Sequence, residues 1–212
     1  MCAQFLIKTN AQEIEKLFGI SPAEEIWDER ILPYTLGHVI TNKGIRKMNF
    51  SLIPSWLKER KPKFATHNAR IETIHEKPTW KKPLETKRCL IPLSTFIEPI
   101  YVNEFAGNMV GFTPENSQIV VAAGIYDEWV DKETGEIIES FSIITTAPYK
   151  YIEQVGHDRS PVFLDQKSFN EWIAPKPVKA TEAVEFLMQS KIEPNFTAQI
   201  DRPMKPGWEK RK

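Results

Sequence analysis

The chain reads as an α+β protein built on one mostly antiparallel, barrel-like β-sheet with a few helices at its flanks. Three observations point that way. Short runs rich in β-branched and aromatic residues recur along the chain, the strongest being Ile119–Trp129. Turn residues of the hairpin type, Gly107-Asn108 and Gly135, separate several of these runs. Stretches with helical spacing of apolar residues are few, so strands dominate the layout. The 212 residues are enough to bury a sizeable core, and no linker, internal repeat or low-complexity segment divides them. A single domain over 1–212 is expected, its last twenty or so residues irregular and basic.

In order, Cys2 to Lys8 reads as a strand with Phe5 and Ile7 on one face. Asn10 is an N-cap residue with Glu13 three positions on, a capping-box pattern, and Ile14, Leu17 and Phe18 make a helical stripe that Gly19 ends. Residues 21–36, with Pro22 and Pro33, read as loop. Short strands follow near Gly37–Ile40 and Met48–Ile53. Pro54 to Pro83 is polar, basic and rich in proline, and is too long for a plain connection; it reads as a functional loop region. Strands are expected at Lys87–Leu93, Ile119–Trp129, Phe141–Thr145 and Pro161–Leu164, with a hairpin around Glu104–Val110. Helices are expected from Thr146-Pro148 to Gln154, from Asp165 to Ile173 and over Glu182–Ser190.

Composition narrows the function. No apolar run approaches the roughly 20 residues of a membrane span, and the N-terminus lacks a signal-peptide pattern. A cytoplasmic protein follows, with no membrane contact. Two cysteines, Cys2 and Cys89, make no disulfide framework. No Cys/His spacing suits zinc, so no metal and no other cofactor is expected. Net charge is zero, but residues 58–88 hold ten Lys/Arg against four Glu, a local +6. A second basic cluster, Lys205, Lys210, Arg211 and Lys212, ends the chain. Such segments either neutralise phosphates or stand as solvated lysine-rich loops.

Four stretches carry chemistry. If Met1 is removed, Cys2 offers an α-amine and a thiol on adjacent carbons, with reference pKa values of about 7.7–8.0 and 8.5. The amine can form a Schiff base with an aldehyde, and the thiol can then close a five-membered thiazolidine. An internal cysteine cannot do this. In Thr66-His67-Asn68-Ala69-Arg70-Ile71-Glu72-Thr73, Asn68 both donates and accepts, Arg70 presents a fork for a phosphate, and Glu72 is placed to hold Arg70. In Arg88-Cys89-Leu90-Ile91-Pro92-Leu93-Ser94-Thr95-Phe96-Ile97-Glu98-Pro99, Glu98 follows an apolar run. It is either an exposed strand-end glutamate or a buried acid–base group; Cys89 reads as core. In Gly156-His157-Asp158-Arg159-Ser160-Pro161-Val162-Phe163-Leu164, His157 can exchange a proton near neutrality and Arg159 adds a second phosphate fork.

Taken in this order, the Met-Cys start, the Asn-Ala-Arg-x-Glu-Thr segment, the Arg-Cys-Leu-Ile-Pro…Glu segment and the His-Asp-Arg-x-Pro-Val segment resemble the SRAP (SOS-response-associated peptidase) family. The resemblance covers roughly residues 2–173. It implies a protein that binds single-stranded DNA and traps abasic sites. The N-terminal cysteine makes a thiazolidine crosslink that shields the lesion, and reversal and AP-lyase-type activity accompany it. By the same resemblance Cys2 crosslinks, Asn68 holds amine and sugar, Glu98 assists ring opening, and His157 serves as acid/base. Arg70 and Arg159 contact phosphates, while Pro33 and Trp56 lie where bases splay or stack. Gln4 stands at a DNA-contacting position, but in Ala3-Gln4 rather than the family's Gly-Arg.

Other departures are Ser51-Leu52 in place of an aromatic–glycine pair, Pro99 in place of tryptophan, and no alignable segment past Thr197. The expected partner is single-stranded DNA containing abasic sites, bound by a monomer associated with the nucleoid when on DNA. Two other readings use the same residues. One is a cysteine-dependent (auto)peptidase or N-terminal-nucleophile hydrolase acting through Cys2 and His157. The other is a non-covalent single-strand-binding module using the basic stretch and Trp56.

Overall fold

The computed structural model describes residues 4–23 and 25–211; Cys2 and Ala3 lie outside them. Among the described residues the chain forms β1 (Gln4–Asn10), α1 (Ala11–Phe18), β2 (Ile26–Ile31), β3 (Leu36–Thr41), β4 (Gly44–Phe50), β5 (Asn68–Arg70) and α2 (Pro78–Thr86). There follow β6 (Arg88–Leu93), β7 (Thr95–Ile100), β8 (Asn108–Pro114), β9 (Val120–Val130) and β10 (Ile137–Thr146). The remainder is α3 (Lys150–Val155), β11 (Ser160–Pro161), β12 (Phe163–Leu164), α4 (Phe169–Trp172), α5 (Ala180–Ser190), β13 (Lys191–Ile192) and β14 (Phe196–Pro203). The α+β class read from the sequence is the class observed.

The strands form two sheets. One runs β11-β10-β4-β3-β6-β9-β12-β13, with β5 added on β10. Because β10 also pairs with β9, the path β10-β4-β3-β6-β9 closes on itself as a five-stranded barrel. Its pairs are antiparallel except β10–β4 and β10–β5. The other sheet is antiparallel throughout, in the order β14-β8-β7-β1-β2. In a flat five-stranded sheet the two edges lie about 19 Å apart. Here Arg30 on edge strand β2 reaches Asp201 on edge strand β14 at 2.6 Å, so the sheet is curled until its edges meet.

An aromatic core joins the two. Phe5 of β1 packs edge-on against Phe50 of β4 at 5.3 Å, and Phe50 stacks on Phe141 of β10 at 5.2 Å. A second group, Phe96, Phe112, Phe163 and Phe196, extends this seam, with Phe96–Phe112 centroids 4.8 Å apart. Fully burying side chains of this size contributes roughly 1.5–3 kcal/mol each.

Three expectations need correction. Residues 21–36 contain strand β2. Its inward positions are Trp27, Glu29 and Ile31, and the charged middle member broke the apolar alternation that marks a strand; Glu29 is accommodated by His38 at 3.0 Å and Lys47 at 3.2 Å. The stretch 54–83 is irregular only in part. Asn68–Arg70 pair in parallel with Ile143–Thr145, and α2 begins at Pro78, whose missing N–H is harmless at a first helical position. The C-terminal segment is not irregular. Strand β14 registers Phe196–Pro203 against β8 with a bulge between Ile200 and Arg202. As an edge strand it buries only Phe196, so backbone pairing rather than apolar patterning defines it.

Candidate functional site

Four segments converge at the ends of β7, β10 and α3. Glu98 sits within β7, opposite Val110, with a side chain 0% exposed. It is not an exposed glutamate at a strand end. One residue before it, Ile97 pairs with Gln4, the first described residue of β1. Strand β1 is thereby tied to the strand that carries the acid.

His157 follows α3 directly. Gly156 ends that helix at φ +107°, and a Cβ there would meet Val102 Cγ2 at 2.6 Å, so the turn that delivers His157 requires glycine. The His157 amide donates to Ile152 O at 3.1 Å. The His157 ring is buried, and its Nε2 lies 3.5 Å from Glu98 Oε2. Its Nδ1 is 2.9 Å from the Arg159 carbonyl and 3.3 Å from the Arg159 amide, which turns Nε2 toward Glu98.

Asn68 enters from β5, opposite Ile143 on β10, and is buried. The segment before it is fastened to β10: the Ser142 hydroxyl donates to Thr66 O, and the Ile143 amide donates to His67 O at 3.0 Å. Burial pushes the His67 imidazole below its ordinary pKa. Arg70 ends β5 and is exposed.

Glu72 does not hold Arg70. Its carboxylate accepts both arms of Arg159, Nη1 at 2.8 Å and Nη2 at 2.9 Å, in a bidentate pair. Arg159 Nη2 also donates to Thr145 O at 2.8 Å. Thr145 O in turn accepts the Ile71 amide at 2.9 Å, so one carbonyl binds the Asn68 strand to the His157 loop. Burial raises the Glu72 carboxyl, but its hydrogen bonds and the Arg159 charge outweigh that and hold it below the usual range.

Pro33 and Trp56 belong to a neighbouring rim. Pro33 precedes Tyr34, which is 52% exposed at φ +71°; Lys61 Nζ sits 5.8 Å over the Tyr34 ring. Trp56, 56% exposed, lines a cavity of about 540 Å³ with Lys58, Lys61, Lys63 and Phe64. The sequence reading counted Lys61 in the basic stretch but overlooked Tyr34 and Phe64. The interleaving of aromatics with lysines over 56–64 was the signal for them.

Gln4 is buried and its Oε1 accepts Arg202 Nη2 at 2.8 Å, with Arg30 Nη1 at 3.5 Å. Ser51, 1% exposed, adopts φ +112°, a conformation that suits glycine. Phe50-Ser51 is thus where an aromatic–glycine pair fits, one residue before the pair read from the sequence. Cys89 is fully buried in β6 and burial pushes its thiol far up, which makes it inert as a nucleophile. Cys2 lies outside the described residues.

Comparison with known proteins follows this geometry. The chain is 36% identical over 164 residues to "Abasic site processing protein YoqW" of Bacillus subtilis, covering 77% of this chain and 69% of that protein. It is 30% identical over 173 residues to "Abasic site processing protein HMCES" of Pongo abelii, covering 68% of this chain and 49% of that longer protein. A crystal structure of a protein from Bacteroides thetaiotaomicron superposes with a TM-score of 0.76 at 25% identity, over 95% of this chain and 92% of that one. The family model "SOS response associated peptidase (SRAP)" matches residues 1–200, and the chain belongs to that family.

Proposed function

We propose that the protein processes abasic sites in single-stranded DNA by forming a thiazolidine crosslink through Cys2 after loss of Met1. The observation that carries the reading is the buried Glu98–His157 pair, 3.5 Å apart, beside the strand that the N-terminus enters. Two residues of chain reach at most about 7 Å, so Cys2 is tethered close to Gln4, whose strand partner adjoins Glu98.

The chemistry divides among the residues. The abasic sugar is mostly a closed hemiacetal. Glu98 helps open it by moving a proton between the anomeric hydroxyl and the ring oxygen. The α-amine of Cys2 adds to the aldehyde, and His157 donates the proton with which the carbinolamine hydroxyl leaves as water. The Cys2 thiol then adds across the C=N bond, its proton passing to nitrogen, and closes the ring. Asn68 orients amine and sugar. Arg70 meets a phosphate, and Trp56 and Pro33 receive bases. Arg159, engaged by Glu72, contributes chiefly by holding the His157 loop. Proton return through His157 and Glu98 also supplies a route for reversal and for lyase-type cleavage.

Intact mass of the purified protein, with and without an abasic oligonucleotide, tests the reading. The expected result is a chain lacking Met1 that gains the mass of the DNA, less one water, as an adduct stable to heat and SDS. An equal adduct yield from Cys2→Ala, or from a chain with one extra residue before Cys2, would sink it. The peptidase reading predicts instead that the protein turns over a peptide in trans without DNA.

A further inference from the structure

The C-terminal segment, outside the motifs discussed above, builds a pocket on the strand that carries Glu98, lined by Pro99 on the opposite face of β7. Strand β14 carries Arg202 to within 2.8 Å of the Gln4 side chain. Arg202 and Arg30 flank one carboxylate, Asp201, whose acidity is increased first by hydrogen bonding to Arg30. Two arginines against one aspartate leave a positive charge at the start of β1. Both arginine side chains are substantially exposed, 40% for Arg30 and 43% for Arg202.

Beyond Arg202 the chain turns over the end of β7 and β8. The Met204 amide donates to Gly107 O at 2.8 Å. The indole of Trp208 lies so close to Gly107 that a Cβ there would sit 3.0 Å from Cζ2. Trp208 and Tyr101 have ring centroids 6.3 Å apart at 46°. With Arg202, the exposed Lys205, and Pro99, the neighbour of Glu98, they line a cavity of about 260 Å³. Two half-buried aromatic rings and two cations, held on an ordered backbone, are what a nucleotide of a single strand requires: a ring face for the base and donors for the phosphate.

We propose that this pocket is a nucleotide subsite for single-stranded DNA flanking the lesion. A base packs on Trp208 and Tyr101, and the adjoining phosphate is held by Arg202 and Lys205. The inference rests on the DNA-processing reading for its partner. It also explains how a positively charged surface persists at the start of β1, where residue 4 is the neutral Gln4: the charge comes from Arg202, supported on the Gln4 side chain.

Fluorescence anisotropy with an undamaged single-stranded oligonucleotide tests it on the full chain, because binding is read without any covalent step. Trp208→Ala should weaken binding about tenfold, within the range for loss of one stacked base, and Trp208→Phe should restore most of it. Lys205→Ala, at an exposed position, should lower the slope of log affinity against log salt by about 0.7. On strands trimmed to one nucleotide on either side of an abasic site, wild type and both variants should bind alike. Unfolding midpoints of the variants, equal to wild type, exclude a folding defect as the cause. Unchanged affinity and salt slope in both variants on long strands would overturn the subsite and leave the pocket to a protein partner. Loss of the Cys2 adduct in wild type with these binding differences intact would overturn the crosslinking reading alone. No strand binding by wild type would overturn both.

Discussion

Glu98 Oε2 and His157 Nε2 lie 3.5 Å apart in a buried pocket, and His157 Nδ1 is already committed to the Arg159 carbonyl at 2.9 Å. With Nδ1 turned to the Arg159 backbone, Nε2 and Oε2 face each other as two atoms able to hold a proton. That is the arrangement a substrate needs if one group is to take a proton while the other gives one. Glu98→Gln keeps the shape and removes the basicity. It should slow adduct formation on abasic DNA by about 10²-fold or more, with affinity for undamaged strands within about twofold. Single-turnover gel assays read the first and anisotropy the second; an unchanged rate removes Glu98 from ring opening. His157→Ala should lengthen the life of the adduct in a chase with excess abasic DNA, and unaltered release would count against its part in reversal.

The Glu72–Arg159 pair sets the loop that carries His157, and its dependence on pH has a definite sign. The Glu72 carboxyl is pushed up by partial burial, yet Arg159 outweighs this and holds it below its ordinary 4.5. A depressed folded value means the pair adds stability above about 4.5, and loses it as pH falls through the lower folded value. Glu72 is about half exposed, so the effect is screened and modest. The expected outcome is that Glu72→Gln lowers the unfolding midpoint at pH 7 and that this deficit shrinks toward zero near pH 3. A deficit that grows on acidification would contradict the pairing. Adduct formation by the same variant should fall at pH 7, since an unbraced Arg159 no longer fixes the carbonyl that orients His157.

Ser51 is held at φ +112°, fully buried, with its hydroxyl lacking a hydrogen-bond partner among the described residues. Its amide donates to Phe141 O at 3.0 Å, which anchors the backbone there. A non-glycine residue in this region costs on the order of 1–3 kcal/mol, and the unpaired buried hydroxyl adds to that. Glycine's extra freedom in the unfolded chain offsets part of the gain. Ser51→Gly should therefore stabilise the fold by about 1 kcal/mol, raising the melting midpoint by about 2–4 °C for a chain of this size. Calorimetry measures it; a lower midpoint would show that the strain is absent.

What the sequence disclosed, and what it hid, separate along physical lines. The order of motifs around Asn68, Glu98 and His157 was legible because each is a compact run of unusual residues, and the family match covers all three. The depth of Glu98 was not: a carboxylate at an inward position of β7 looks, in one dimension, like the polar end of an apolar run. Strand β2 was hidden for the same reason by Glu29. Strand β14 was hidden because an edge strand with one buried residue leaves no period-two pattern. The partner of Glu72 was misread because nearness in sequence favoured Arg70, whereas the fold brings Arg159 across 87 positions. Local composition carries the chemistry of a group, and only tertiary pairing carries its partner.

Arg88 shows how much of the scaffold depends on one buried cation. It is 5% exposed and burial pushes its pKa down. All five guanidinium N–H groups have carbonyl acceptors: Trp172 at 2.6 Å, Leu84 at 3.3 Å, Glu85 at 2.9 Å, Ala174 at 2.9 Å and Lys176 at 2.9 Å. These carbonyls close the C-terminal ends of α2 and α4, where helices leave acceptors unpaired and favour positive charge. The Trp172 ring lies 5.6 Å below the guanidinium, and Trp172 Nε1 donates to Cys89 O, so the same cation pins α4 to β6. Arg88→Ala removes the donor from the buried carbonyls of Trp172 and Leu84, and should cost about 3 kcal/mol. Arg88→Lys should recover little, because three donors on a flexible stem cannot reproduce the planar fork. Urea unfolding of the two variants measures both. Near-wild-type stability in Arg88→Lys would show that charge alone, without the five-donor geometry, holds these ends together.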